Sequence, residues 1–156
     1  MLWFLLGIAL ASPDLASDMT TRLSVRHDPP ACETLAALGP DDAVREALVE
    51  VAETVRLPPW APMRAAACLV ERADQDPEAL AVARRWVVDP ERPGLALVVL
   101  GGLDPLPPEE ALALARRGAD RAAEEPRLAP YVVDALRGSR HEAVLRVGRD
   151  LEAARP

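Results

Sequence analysis

The segment EALVEVAE, beginning at Glu46, recurs as EALAVARR at Glu78, EALALARR at Glu110 and EAVLRVGR at Glu142, each copy 32 residues after the last. A fixed offset in the range of about 20–50 residues is the signature of a stacked array, because each unit is too small to bury its own apolar face. The period dictates what lies around it. In the third copy Ala111, Leu112, Ala115, Ala119 and Ala122 recur at spacings of three and four, with Arg116, Arg117, Asp120 and Arg121 between them. That pattern describes an amphipathic helix with one apolar stripe and a polar face.

Start signals agree with helices at these positions. Asp76-Pro77-Glu78 orders an N-cap, a first-turn proline and an acidic residue. Ser139 and Glu142 have the spacing of a capping box, and Gly138 stands where the preceding helix would close. Between the four recurring helices a second, more apolar set is expected at about Ala31–Leu38, Ala61–Asp74, Pro93–Leu103 and Arg127–Arg137. Pro58-Pro59, Pro90, Pro105, Pro107-Pro108 and Pro126 fall between helices or in first turns, where the missing N–H is harmless. The run LALVVLGGL, Leu95–Leu103, is apolar on every side and taken alone could form a buried strand. Its place in the repeat makes it a helix covered on both flanks.

Half of the residues are hydrophobic but only 3% are aromatic, so the core must be built from Ala, Leu and Val. Ala and Leu are strong helix formers, and small side chains let helices approach closely. The fold class read from this is all-α, an array of about four antiparallel helix pairs forming one repeat domain over residues 31–156. A net charge of −7 with no basic run argues against nucleic acid as the partner, since phosphate binding requires a basic face.

The N-terminal region reads differently. Residues 1–11, MLWFLLGIALA, are uninterruptedly apolar and end in Ala9-Leu10-Ala11, the small-x-small pattern of a signal peptidase site, although no basic residue precedes the run. At eleven residues the stretch is shorter than the roughly 20 needed to span a bilayer. The expectation is a signal peptide, a periplasmic or secreted chain, and membrane contact only through that signal. Residues 12–30 carry turn formers and no sustained apolar period, and are expected to be a flexible tether. Cys32 and Cys68 match no metal motif. In an exported chain they form a candidate disulfide, whereas in a cytosolic one they would be small core residues.

Residues 63–80 bring a family into view. MRAAACLVERAD followed by DPEAL resembles the bacterial HEAT-like repeat, with Met63, Arg64, Ala65, Ala66, Ala67, Leu69 and Asp74 at the positions of its pattern. Asp89-Pro90 begins the next link in the same style. The resemblance covers Trp60 to Leu103. The later apolar helices depart from it, with Gly94-Leu95 in place of Met63-Arg64. It implies an α-solenoid (an α/α superhelix) that recognises other macromolecules along one surface, and it implies no reaction.

Glu46, Glu78, Glu110 and Glu142 could be a row of carboxylates, but acidic residues near helix N-termini ordinarily offset the macrodipole. Trp60 and Trp86 could stack on a ligand, although large aromatics near repeat joints usually pack. His27 falls in the tether and His141 in an exposed first turn, and the sequence holds no HExxH or Gly-rich phosphate motif. Arg85, Arg117 and Arg149 share one repeat position, seven residues after their glutamates. On stacked helices they would form a stripe able to dock an unidentified protein or another acidic macromolecule, or else a solvated face laced with Asp and Glu. The functional expectation is therefore a non-enzymatic scaffold or accessory subunit of the cell envelope, without metal or cofactor. The alternatives are a small helical enzyme of the lyase or cell-wall hydrolase class, or a purely structural repeat protein. If the export signal is read correctly, N-terminal sequencing of protein from the envelope fraction should begin at Ser12, whereas a soluble cytoplasmic pool retaining Met1 would contradict it.

Overall fold

A computed structural model describes residues 13–24, 31–54 and 56–155. The expected signal peptide and His27 lie outside these residues. The described residues are helical, with no strand among them. The helices are α1 (Pro13–Ser24), α2 (Cys32–Ala36), α3 (Asp41–Glu53), α4 (Trp60–Arg72), α5 (Pro77–Val88), α6 (Pro93–Gly101), α7 (Pro108–Glu124), α8 (Ala129–Arg137) and α9 (Glu142–Ala153). A 3-10 turn over Pro126–Leu128 leads into α8. Each of the eight helices expected from the repeat is present.

A single repeat domain was expected over 31–156, but the contacts divide the chain into two compact units, Met1–Ala65 and Ala66–Pro156, with the boundary inside α4. In the first unit, α1 and α2 both pack on α3. Where a flexible tether was expected over 12–30, Pro13–Ser24 forms a helix. Leu15, Met19 and Leu23 stand four residues apart, one turn of helix each, so they form a stripe. Met19 and Leu23 are fully buried, among a core that includes Leu35, Val44, Leu48 and Val51. On the outer side Asp18 and Arg22 pair at 3.0 Å.

In the second unit α5, α7 and α9 follow one another, α5 packing on α7 and α7 on α9. The intervening helices form their own succession, α6 against α8, and each joins its sequence neighbours: α6 meets α5 and α7, while α8 meets α7 and α9. The apolar α6 is covered accordingly, with Leu95, Ala96, Val99 and Leu100 buried. Small residues set the approach. Ala111, Ala115, Gly118 and Ala122 line the buried side of α7, and a Cβ added at Gly118 would fall 2.6 Å from a methyl carbon of Leu100. One repeat earlier, the position of Gly118 is held by Trp86, which is fully buried in α5.

The helix starts are only partly as read from the sequence. Asp76 caps α5 as expected, its Oδ1 accepting from the N–H of Glu78 at 3.0 Å and of Ala79 at 3.2 Å. The capping box expected of Ser139 and Glu142 does not form. His141 is the N-cap of α9, and its own side chain makes no capping bond. The Ser139 hydroxyl instead donates to Asp104 Oδ1 at 3.1 Å, and the Arg140 N–H donates to the same oxygen at 2.7 Å. Asp104 thereby joins the α6–α7 loop to the α8–α9 loop. Gly138 closes α8 with a φ of −83°, so its left-handed freedom is not used.

Candidate docking surface

The residues expected to form the stripe sit on three helices that pack in succession, Arg85 on α5, Arg117 on α7 and Arg149 on α9. All three are exposed. Each follows a glutamate by seven residues, two helical turns, which keeps the two side chains on one face. In α9 the two meet, Arg149 pairing with Glu142 at 2.5 Å while both remain more than half exposed. Exposed pairs of this kind contribute at most about 1 kcal/mol and exchange readily for another anion.

The glutamate ladder does several jobs. Glu78, Glu110 and Glu142 lie in first turns, where a carboxylate opposes the helix dipole. Glu46 does not, since α3 begins at Asp41 and its first turn holds Asp41 and Asp42. Glu110 has a second role, because Arg84 of α5 reaches it at 2.5 Å and ties α5 to α7. Arg84 is thereby engaged between α5 and α7.

Around the expected stripe the structure adds Arg116 and Arg146, which are exposed and, like Arg117, form no ion pair among the described residues. The repeat offered a signal for Arg116, since Arg84-Arg85 and Arg116-Arg117 are the same doublet in two copies. Arg121, read from the sequence as part of the polar face of α7, is buried. Its Nη1 donates to the carbonyl of Val87 in the last turn of α5 at 3.1 Å, and its Nε lies 3.6 Å from Glu125. A buried cation at a helix C-terminus satisfies an orphan carbonyl and opposes the negative end of the dipole.

The same corner holds Asp89, the residue that caps α5. Its Oδ2 accepts from Arg92 at 2.7 Å and its Oδ1 from the N–H of Glu91 at 2.9 Å. The Arg92 hydrogen bond, then the Glu91 backbone bond, with the charges of Arg92 and Arg121 behind them, holds the Asp89 carboxyl below its ordinary value.

The remaining candidates separate. Trp86 is core, but Trp60 is 46% exposed at the first position of α4, beside Met63, so the packing role expected of both tryptophans holds for one. His141, expected to be exposed, is half-buried, with Nε2 3.3 Å from the carbonyl of Leu103. Cys32 and Cys68 are both disulfide-bonded and neither is free. A shallow depression of about 180 Å³ between α8 and α9 is lined by Val133, Arg137, Leu145, Gly148, Arg149 and Glu152. That volume is below the roughly 300–1,000 Å³ of small-molecule sites. No grouping of three metal-ligating side chains occurs among the described residues, and none of their helices is long and apolar enough to cross a membrane.

No family model matches the chain, and neither the curated proteins nor the solved structures hold a match to it.

Asp89 yields a pH-dependent prediction. A carboxyl held below its ordinary value of 3.8 binds fewer protons folded than unfolded, so its contribution is complete above that value and fades as pH falls through the folded-state value. Asp89→Asn keeps an acceptor for Glu91 and removes the charge. It should cost about 0.5–1 kcal/mol near neutral pH, and denaturant titrations should show that difference shrinking below about pH 4. A deficit unchanged down to pH 2 would show that the charge at Asp89 is not what matters.

Proposed function

We propose that the chain is a non-enzymatic protein-binding scaffold or accessory subunit of the cell envelope, an α-solenoid of HEAT-like helix pairs that docks an acidic partner on its arginine stripe. The observation that carries this reading is the exposure of Arg85, Arg117 and Arg149 on three helices that pack one after another. Side chains repeated at one register on successive helices make an extended surface rather than an enclosed one, and such surfaces suit macromolecules. The solenoid reading draws on the 32-residue offset in the sequence and on contacts that run between neighbouring helices.

The envelope assignment has two supports. Ala9-Leu10-Ala11 closes an apolar run in the manner of an export signal, and both cysteines are disulfide-bonded. Disulfides persist in oxidising compartments and are reduced in most cytosols.

The test replaces Arg85, Arg117 and Arg149 together with Ala. Exposed positions rarely change stability by more than about 0.5 kcal/mol each, so thermal unfolding should shift little. Affinity for a partner captured by the wild-type chain from an envelope extract should fall, along with most of its salt dependence. Arg22, Arg127 and Arg155, also exposed, provide a control triple with the same change of charge. Loss of fold in the stripe variant would make these arginines structural. Equal effects of the two triples on binding would remove the stripe as the docking surface.

A further inference from the structure

On α7 the exposed cations occupy a narrow band. Arg116 and Arg117 are followed by exposed Asp120 and Glu124, and exposed Glu109 lies two turns before Arg116. Asp120 is three residues from Arg117, about 4.5 Å along the axis. On α5 exposed Glu78 lies two turns before Arg85, and on α9 exposed Glu142 lies two turns before Arg149, with exposed Asp150 directly after it. On α7 the two arginines therefore lie between carboxylates about 16.5 Å apart along the axis. A partner helix lying across the three would return to one face every seven residues, about 10.5 Å, a wider interval than that at which packed helices recur.

The spacing along the band is set by helix packing. Neighbouring axes lie about 8–10 Å apart, so successive arginines recur at that interval. A β-strand presents same-face side chains every second residue, about 6.6–6.8 Å apart, out of step with the band. A polyproline II segment has three residues per turn and a rise of about 3.1 Å, so every third side chain lies on one side at about 9.3 Å. That matches.

Resting on the docking function proposed above, we infer that the band binds an extended acidic polypeptide in a polyproline II conformation, with a carboxylate at every third residue. Charge complementarity and matched spacing select this occupant. Arg117 forms no ion pair among the described residues, and Arg149 holds Glu142 only in an exposed pair that a peptide carboxylate can displace. Arg85 has an interaction of its own and would exchange it in the same way. Prolines between the carboxylates preset the conformation and reduce the ordering cost of binding.

The probes are two synthetic peptides of identical composition. One repeats Glu-Pro-Pro about five times, to maintain the period of the polyproline II turn; the other gathers the same glutamates into one block. Titration into the whole chain at low salt should give about tenfold tighter binding of the period-three peptide, the worth of a few additional exposed ion pairs. The advantage should vanish in the Arg85, Arg117, Arg149 triple Ala variant. Equal affinity for both peptides, lost together in the triple variant, would overturn the spacing while leaving an acidic docking surface. Unchanged binding of the period-three peptide to the triple variant would overturn both the spacing and the stripe. Absence of measurable binding by either peptide would overturn the polyproline II occupant, and the captured envelope partner would then judge the docking function separately.

Discussion

Gly118 of α7 receives the side chain of Leu100 from α6 in the space where any other residue would carry its Cβ. That approach organises the second unit. With few aromatics available, the core can be dense only if helices come close, and Ala111, Ala115, Gly118 and Ala122 give α7 a flat side for α6 and its neighbours. The apolar α6 is covered in consequence, and α5 and α9 take their places on either side of α7. The exposed face is a product of the same packing. α5, α7 and α9 pack in succession, and each carries one of the three exposed arginines.

Polar interactions then stabilise an order already set by shape. Arg84 reaches from α5 to Glu110 on α7. Arg121 runs the other way, from α7 to the last turn of α5, where it meets the Val87 carbonyl beside Asp89. Asp104 joins two loops further along through Ser139 and Arg140. Each contact links residues between 26 and 36 positions apart, close to one repeat.

What the sequence made legible is what the period controls. The eight repeat helices, the Asp76 cap and the exposure of Arg85, Arg117 and Arg149 all follow from a 32-residue register combined with helical spacing. The failures have a common physical cause, for each depends on a partner distant in the chain. The stripe of Leu15, Met19 and Leu23 in α1 is hidden in a polar segment, and it is buried once α1 packs on α3. Arg121 looks like its exposed neighbours until the end of α5 is placed beside it. Ser139 has capping-box spacing but spends its hydroxyl on Asp104, one repeat away. For the candidate stripe, the register located the three arginines, whereas the ion pairs of Arg84 with Glu110 and of Arg149 with Glu142 required side-chain positions.

The dependence of the array on close approach is tested most directly by the stability of Gly118→Ala, measured beside Gly101→Ala in denaturant titrations. Alanine exceeds glycine in helix propensity by about 1 kcal/mol, so both substitutions would stabilise if local preference decided the outcome. A Cβ at Gly101 meets nothing within 4 Å, and that variant should hold or gain stability. At Gly118 the new methyl collides with buried Leu100, and overpacking of roughly 1–3 kcal/mol should outweigh the propensity gain and lower the unfolding midpoint. A Gly118→Ala protein as stable as Gly101→Ala would contradict the account, because α6 and α7 would then have room that the packing described here denies them.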